Sequence, residues 1–314
     1  MTLAPYVRIV AQGKGRARAL TQTEATEAMS LILADKAAPE ALGALLMVLR
    51  LRGEEDGEIA GFTQALRDHV QTTLPQADLD WPCYAAGRTR GAPLFLLSAR
   101  LVAQAGYKVA MHGWNSHQDP VADPRQALDR LGFDDPNLVY YPLETLSPKA
   151  FELLRLRDTF GLRSCINTVL RMWNPTGAKA SVQGVFHPSY RGLQTRAALL
   201  LGDKTLTVIK GGGGEFERNP TKDAAVFGVR DGDALNETAP AIYDDTRRMH
   251  DPENPIDLGS LWNGDHDDPF ATATVTGTAA LAIWSLGAAE TIADAQNLAT
   301  SLWNNRSNDA RKST

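Results

Sequence analysis

Residues 45–70 read LLMVLRLRGEEDGEIAGFTQALRDHV, and two apolar stripes run through this region at helical spacing. Leu42, Leu45, Leu46 and Leu49 follow Pro39 on one face, and Ile59, Phe62, Leu66 and Val70 repeat the pattern from about Asp56. Upstream, Thr21 and Glu24 have the spacing of a capping box, with Ala25, Ala28, Met29, Ile32 and Leu33 on one face behind them. Short amphipathic helices of this kind need neighbours to cover their apolar stripes. Residues 1–73 are therefore expected to form a small N-terminal helical domain.

The pattern changes after Thr73. Leu74-Pro75 and the Asp78–Pro82 stretch read as a linker. Beyond it, Leu94, Leu97, Leu101 and Val102 make a helix face, and Tyr107–Met111 reads as a short buried strand. Similar strand-like runs are Ser181–Phe186, Thr205–Ile209 and Ala225–Val229, with a helix over Leu193–Leu201. Two helices, Ala273–Leu286 and Ala289–Asn304, close the chain. Strands alternating with helices predict a larger α/β domain over residues 78–314, built on a mainly parallel sheet. A chain of 314 residues is long enough for two such units.

Charge and cysteine usage narrow the function classes. The formal net charge of -5 argues against a uniformly basic coat, although local patches are not decided by it. Lys14, Arg16 and Arg18 lie in a segment with no acid between Thr2 and Glu24. Acids gather later, at Asp244-Asp245, Asp251, Glu253, Asp257, Asp265, Asp267 and Asp268. Cys83 and Cys165 are far apart and lack a metal-binding spacing, which fits a reducing compartment. With no apolar run of membrane-spanning length and no signal-peptide pattern, a cytoplasmic location without a membrane partner is expected.

In parallel sheets ligands sit beyond the carboxyl ends of the strands, and loops in such places stand out here. Ala85–Gly91, AAGRTRG, places Gly87, Arg88 and Arg90 ahead of a helix N-terminus, a setting that suits an anion or a plain connection with solvated arginines. The loop at His112–Asp119 holds His112 and His117; with Asp119 they match no standard metal spacing, so satisfied loop histidines are the better reading. Arg155, Arg157, Arg163 and Arg171 form a basic density able to hold phosphates, or else decorate helix surfaces. Trp173 beside them is either a base-stacking platform or a core residue. Lys210 opens the run KGGGGEFERNP, whose consecutive glycines from Gly211 imply a close backbone approach to something. That run is not a P-loop, since no Gly-Lys-Ser/Thr follows at the required spacing.

Taken in order, these segments resemble anthranilate phosphoribosyltransferase and the related pyrimidine nucleoside phosphorylases. Residues 45–70 resemble the helical domain of that family, GYKVAMHG (106–113) its AKHGN strand and loop, and RSCINTVLRMWNP (163–175) its RTIFNLLGPLLNP segment. VFHP (185–188) stands where a VFSP-type strand end is found, and IKGGGGE (209–215) where a His-Gly strand end precedes an acidic pair. The resemblance is collinear over about the whole chain and implies a nucleoside phosphorylase/phosphoribosyltransferase-like α/β fold. It also implies a phosphoribosyl-pyrophosphate pocket at Gly87, His112, Gly113, Asn115, Arg157, Arg163, Asn167, Arg171 and Gly211, with Arg157 matching an arginine that contacts anthranilate.

The departures bear on activity. The glycine-rich GTGGD loop that binds pyrophosphate is here AAGRTRG, the lysine of KHGN is Met111, and a Gly-Pro pair is replaced by Leu170-Arg171. The later histidine is Lys210, and the magnesium-holding Asp-Glu pair lines up with Glu215-Phe216, so a second carboxylate would have to come from Glu217. Losing donors of this kind costs about 3–4 kcal/mol each in transition-state stabilisation. Ordinary anthranilate transfer is therefore expected to be absent or weak.

The pattern is also similar to the TrpD-like paralogues of the YbiB type, and that similarity implies a homodimeric nucleic-acid-binding protein without a cofactor. Lys14, Arg16, Arg18, Arg88, Arg90, Lys210 and Arg218 would then neutralise phosphates, with Trp114 or Trp173 available for stacking. The alternative is a phosphoribosyltransferase for an acceptor other than anthranilate. It would use the retained His112-Gly113, Asn167 and Asn174, with Mg held by Glu215 and Glu217. An inactive scaffold that binds another protein through the helical domain is a third reading.

Overall fold

The computed structural model describes residues 2–13, 15–69, 74–84, 91–114, 123–132, 135–249 and 256–306. The N-terminal helices are α1 (Ala4–Ala11), α2 (Gln22–Leu33), α3 (Pro39–Arg52) and α4 (Asp56–His69). The capping box at α2 is formed: Thr21 Oγ1 accepts from the Glu24 amide, and Glu24 Oε2 accepts from the Thr21 amide at 2.9 Å. The segment Ala4–Ala11, to which the sequence reading assigned no element, is a helix with Pro5 in its first turn.

The α/β part follows as β1 (Leu79–Cys83), α5 (Phe95–Gln104), β2 (Val109–Gly113), α6 (Pro124–Leu131) and β3 (Leu138–Pro142). Three helices interrupt it: α7 (Leu143–Leu146), α8 (Pro148–Phe160) and α9 (Ile166–Arg171). It resumes with β4 (Ala180–Val185), α10 (Ser189–Leu201), β5 (Leu206–Lys210), β6 (Ala224–Arg230) and β7 (Asp233–Ala239), and ends with α11 (Leu258–Asn263), α12 (Pro269–Ser285) and α13 (Ile292–Asn304). The sheet order is β3-β2-β1-β4-β5-β6-β7; the first five strands in that order are parallel, and β6 and β7 form an antiparallel extension.

The expectation of a linker over Asp78–Pro82 is corrected by this topology, because the stretch supplies most of β1, the middle strand of the five parallel ones. All of β1 is buried. Its polar residue and its proline gave it the look of a loop, but Asp80 Oδ2 accepts from the Ser181 hydroxyl inside the sheet at 2.8 Å. Chain order reverses at β1, which pairs with β2 on one side and β4 on the other. Such a switch point opens a crevice at the carboxyl ends of the strands.

Both faces of the sheet are covered. Trp81, Met111, Ile209 and Phe216 join α5, α12 and α13 in one core, and α12 is apolar nearly all round because it is buried nearly all round. Leu206 and Val208 face the other way, into a core shared with α2, α3, α4, α8, α9 and α10. The N-terminal helices thus do not make the helical layer alone. Phe160 at the end of α8 lies 3.5 Å from the position a Cβ on Gly43 would take, and Lys149 of α8 pairs with Asp35. Arg67 of α4 donates to the Met172 and Trp173 carbonyls at 2.7 and 3.0 Å and pairs with Asp203 at 2.7 Å. That clamp ties the C-terminal end of α9 to α4 and to the turn after α10.

Candidate functional site

The carboxyl ends of β1 and β2 carry a fully buried polar network. His112 Nδ1 lies 2.9 Å from the Tyr84 hydroxyl, and His112 Nε2 lies 3.1 Å from Asp80 Oδ1, off the line of a good hydrogen bond. A proton on Nε2 facing the carboxylate, with Tyr84 O–H donating to Nδ1, is the tautomer this geometry favours. Burial, reinforced by Cys83 and Asp80, pushes the Tyr84 phenol well up and keeps it neutral. His112 therefore faces inward with Nδ1 engaged by Tyr84 and Nε2 beside Asp80, while His117 and Asp119 lie outside the described residues. Gly113 has no room for a side chain: a Cβ would fall 1.7 Å from the Cys83 carbonyl oxygen.

The glycine run after β5 makes its close approach to the protein itself. A Cβ on Gly211 would meet the Glu215 carbonyl oxygen at 1.6 Å, and Gly213 and Gly214 adopt φ of 62° and 89°. The run curls under the end of β4 and delivers Phe216 to the core, where its ring meets Trp81 edge-on at 5.4 Å. Glu217 is fully buried and accepts from the Phe95 amide at 3.0 Å, serving the N-terminus of α5.

Between the helical layer and the sheet lies a cleft of about 540 Å³. Arg50 comes from α3, Arg157 and Asp158 from the end of α8, and Arg163 from the connection to α9. Asn167, Thr168 and Arg171 come from α9, and Val185, Phe186, His187, Tyr190 and Gln194 from the end of β4 and the start of α10. Four guanidiniums against one carboxylate make it strongly cationic. Burial, aided by repulsion from Arg157, Arg171 and Arg50, pushes Arg163 down to about 10, so it stays charged at neutral pH. Burial likewise lowers Arg171, opposed by the field of Glu215. The N-terminus of α10 adds its dipole to the same wall.

A second cleft of about 670 Å³ shares Phe186 and His187 with the first and is bordered by Arg191, Lys210, Lys222 and the glycine run. Together they follow the carboxyl ends of β4 and β5.

The sequence reading placed Arg157, Arg163, Asn167 and Arg171 in one pocket, and the structure brings these residues together. Gly211 and Lys210 border the neighbouring cleft, whereas His112 and Gly113 are packed between β1 and β3 at the carboxyl end of β2. Gly87, Arg88, Arg90, Asn115 and Lys14 lie outside the described residues. Arg50, His187 and Tyr190 were missed; Arg50 looked like an ordinary helix-surface cation, and only tertiary packing brings it to the cleft. Arg218, expected on the surface, is 1% exposed and donates to the carbonyls of Ala239 and Pro240. Arg18 is held by Glu24 at 2.6 Å, Arg16 is exposed, and Trp173 is a core residue.

Residues 5–70 match the family described as glycosyl transferase family, helical bundle domain. The chain is 30% identical to the anthranilate phosphoribosyltransferase of Geobacillus stearothermophilus over 68% of its own length and 67% of that protein's. To the protein of the same name from Bacillus caldotenax it is 30% identical over 231 residues, covering 94% of that chain. The chain belongs to the anthranilate phosphoribosyltransferase family. The fold agrees: the anthranilate phosphoribosyltransferase of Thermus thermophilus superposes with a TM-score of 0.76, at 24% identity, over 91% of this chain and 92% of that one. The Saccharomyces cerevisiae enzyme in complex with PRPP and Mg gives 0.75 at 14% identity, over 96% and 93%.

Membership of the anthranilate phosphoribosyltransferase family corrects the expectation of a nucleic-acid-binding protein. The relatives are named for phosphoribosyl transfer. Of the cations assigned to a phosphate-tracking surface, Arg218 is buried structure and Arg18 is engaged by an acid. The cationic residues that do converge line a cleft between the helical layer and the end of β4.

The family also implies magnesium, and the described residues do not fit a magnesium site of their own. Phe216 occupies the core between Glu215 and Glu217, Glu217 is committed to the Phe95 amide, and no three His, Cys, Asp or Glu side chains among the described residues stand together as ligands. Glu215 and Glu217, the pair that the transferase reading assigned to the metal, are 1% and 0% exposed. Among the described residues, no helix is long and apolar enough to cross a membrane.

Proposed function

We propose that this chain is a phosphoribosyltransferase whose acceptor is not anthranilate. The observation that carries the reading is the arginine-lined cleft at the carboxyl end of β4 in a sheet of this family, walled by the helical layer and the start of α10. Two adjoining clefts with a shared wall suit two reactants, an anionic sugar donor and an acceptor, held side by side. The acceptor end holds Arg50, Arg157, Arg163 and Arg171, more cation than a single carboxylate requires. Leu170-Arg171 stands where the family segment has Gly-Pro, which reshapes that end.

The test is pyrophosphate release from phosphoribosyl pyrophosphate and Mg by the purified full chain, with anthranilate and a panel of amino and hydroxy aromatic acids. Release driven by another acid and negligible with anthranilate is expected. Anthranilate as the best acceptor, or no release with any acid, defeats the reading.

A further inference from the structure

Arg171 closes the inner end of the first cleft and is 5% exposed. Its Nη1 donates to Asn167 Oδ1 at 2.9 Å, one turn back on α9. Its Nε and Nη2 have no hydrogen-bond partner among the described residues. No carboxylate among the described residues lies within ion-pair distance of it, and Glu215 acts only through its field. Leaving buried charged donors unmade is costly, and a ligand that satisfies them recovers that cost on binding. The two unpartnered donors, sheltered from bulk solvent, are also specific in shape. Nε–H and Nη2–H form the side of the guanidinium that presents two parallel bonds to one carboxylate or phosphate.

We propose that Arg171 seats an oxyanion of the acceptor through its Nε/Nη2 edge, and that the acceptor is a small acid with two oxyanion groups. This inference rests on the transferase reading for the word acceptor, but not for the seat. The first oxyanion is met by Arg157 and Arg163 at the mouth, the second by Arg171 at the inner end. Val185, Phe186 and Tyr190 along the same wall supply apolar surface for a ring or short carbon frame between them. Asn167 holds the guanidinium in orientation from its third nitrogen, so the fork is set before the ligand arrives.

Calorimetric titration of the full chain with benzoate, isophthalate, inorganic phosphate and pyrophosphate tests this without any turnover. Isophthalate is expected to bind at least about tenfold tighter than benzoate, the gain of a charge-assisted bidentate contact. In Arg171→Gln that advantage disappears, and in Arg171→Lys, which keeps charge but loses the fork, it is only partly retained; thermal melts establish that each variant is folded. Equal affinity of the wild type for the two aromatic acids overturns the proposal, and that comparison needs no variant. An undiminished preference in a folded Arg171→Gln also overturns it. So does an Arg171 dependence confined to phosphate and pyrophosphate, which would place the seat on the donor side. Absence of pyrophosphate release with every acid, alongside a retained preference for isophthalate, defeats the transferase reading and leaves the seat standing.

Discussion

Gly184 in β4 and Glu215 in the glycine run are packed backbone to backbone: a Cβ on Gly184 would lie 2.0 Å from the Glu215 carbonyl carbon and 2.1 Å from its oxygen. Neither side can yield cheaply, because the obstacle is main chain on both. Gly184→Ala is expected to destabilise the fold by about 1–3 kcal/mol, the usual range for overpacking. Urea unfolding checks this; a loss below about 0.5 kcal/mol would show that the run can move aside.

Arg67 holds three acceptors at once: the carbonyls of Met172 and Trp173 and the carboxylate of Asp203. Arg67→Met keeps much of the stem and removes the donors. It is expected to lower stability by about 2–3 kcal/mol, with partly buried carbonyls left to find water. It should also weaken benzoate and isophthalate binding by a similar factor, since α9 carries both Asn167 and Arg171. Calorimetry on the folded variant reads that effect; unchanged affinity would show that α9 is held without the clamp.

Glu24 joins the α2 cap to an ion pair with Arg18, and that guanidinium holds its carboxyl at about 2, below its ordinary value of 4.5. A depressed folded value means the carboxylate contributes stability above about 4.5, and this is lost as the pH falls toward about 2. Glu24→Gln retains the capping geometry and removes the charge. The wild type should be the more stable of the two at neutral pH, the gap narrowing between about 4.5 and 2. Added salt should narrow it as well, because Arg18 is exposed. A gap independent of pH would contradict the assignment.

Arg218 and Lys210 are both cations near the glycine run, yet they differ in kind. Arg218 is buried and serves the carbonyls of Ala239 and Pro240, whereas Lys210 is exposed beside the second cleft. Arg218→Met is expected to cost about 1–3 kcal/mol of stability, because those carbonyls lose their donor. Lys210→Met should stay within about 0.5 kcal/mol. Parallel urea titrations compare them, and equal losses would reject the distinction.

Much of the scaffold was readable before any coordinates. The Thr21/Glu24 capping box, the stripes through residues 39–69 and the strands ending near Val185 and Lys210 all rest on local patterns, and local patterns survive folding. Arg157, Arg163 and Arg171 were legible as a cationic cluster because they lie within one short segment. Strand β1 was hidden because its polarity, Asp80 and Pro82, is that of a turn. Only Ser181, far along the chain, shows what Asp80 Oδ2 accepts from. The glycine run announced a close approach but not its partner, since Gly184 and Gly211 meet the Glu215 backbone only after β4 and β5 pair. The side-chain role of Glu217 was invisible for a similar reason, as its partner is the amide of Phe95.

The sharing of one core between the N-terminal helices and α8, α9 and α10 has a consequence for how the chain is made. A nascent polypeptide that has just released α4 still lacks the cover over those leucines, and must wait for about a hundred further residues to be translated. During that interval the apolar face is open to chaperones and to other unfinished copies. The same delay ensures that the arginines of the cleft are assembled only once the segment bearing Arg171 and the segment bearing Arg50 have met.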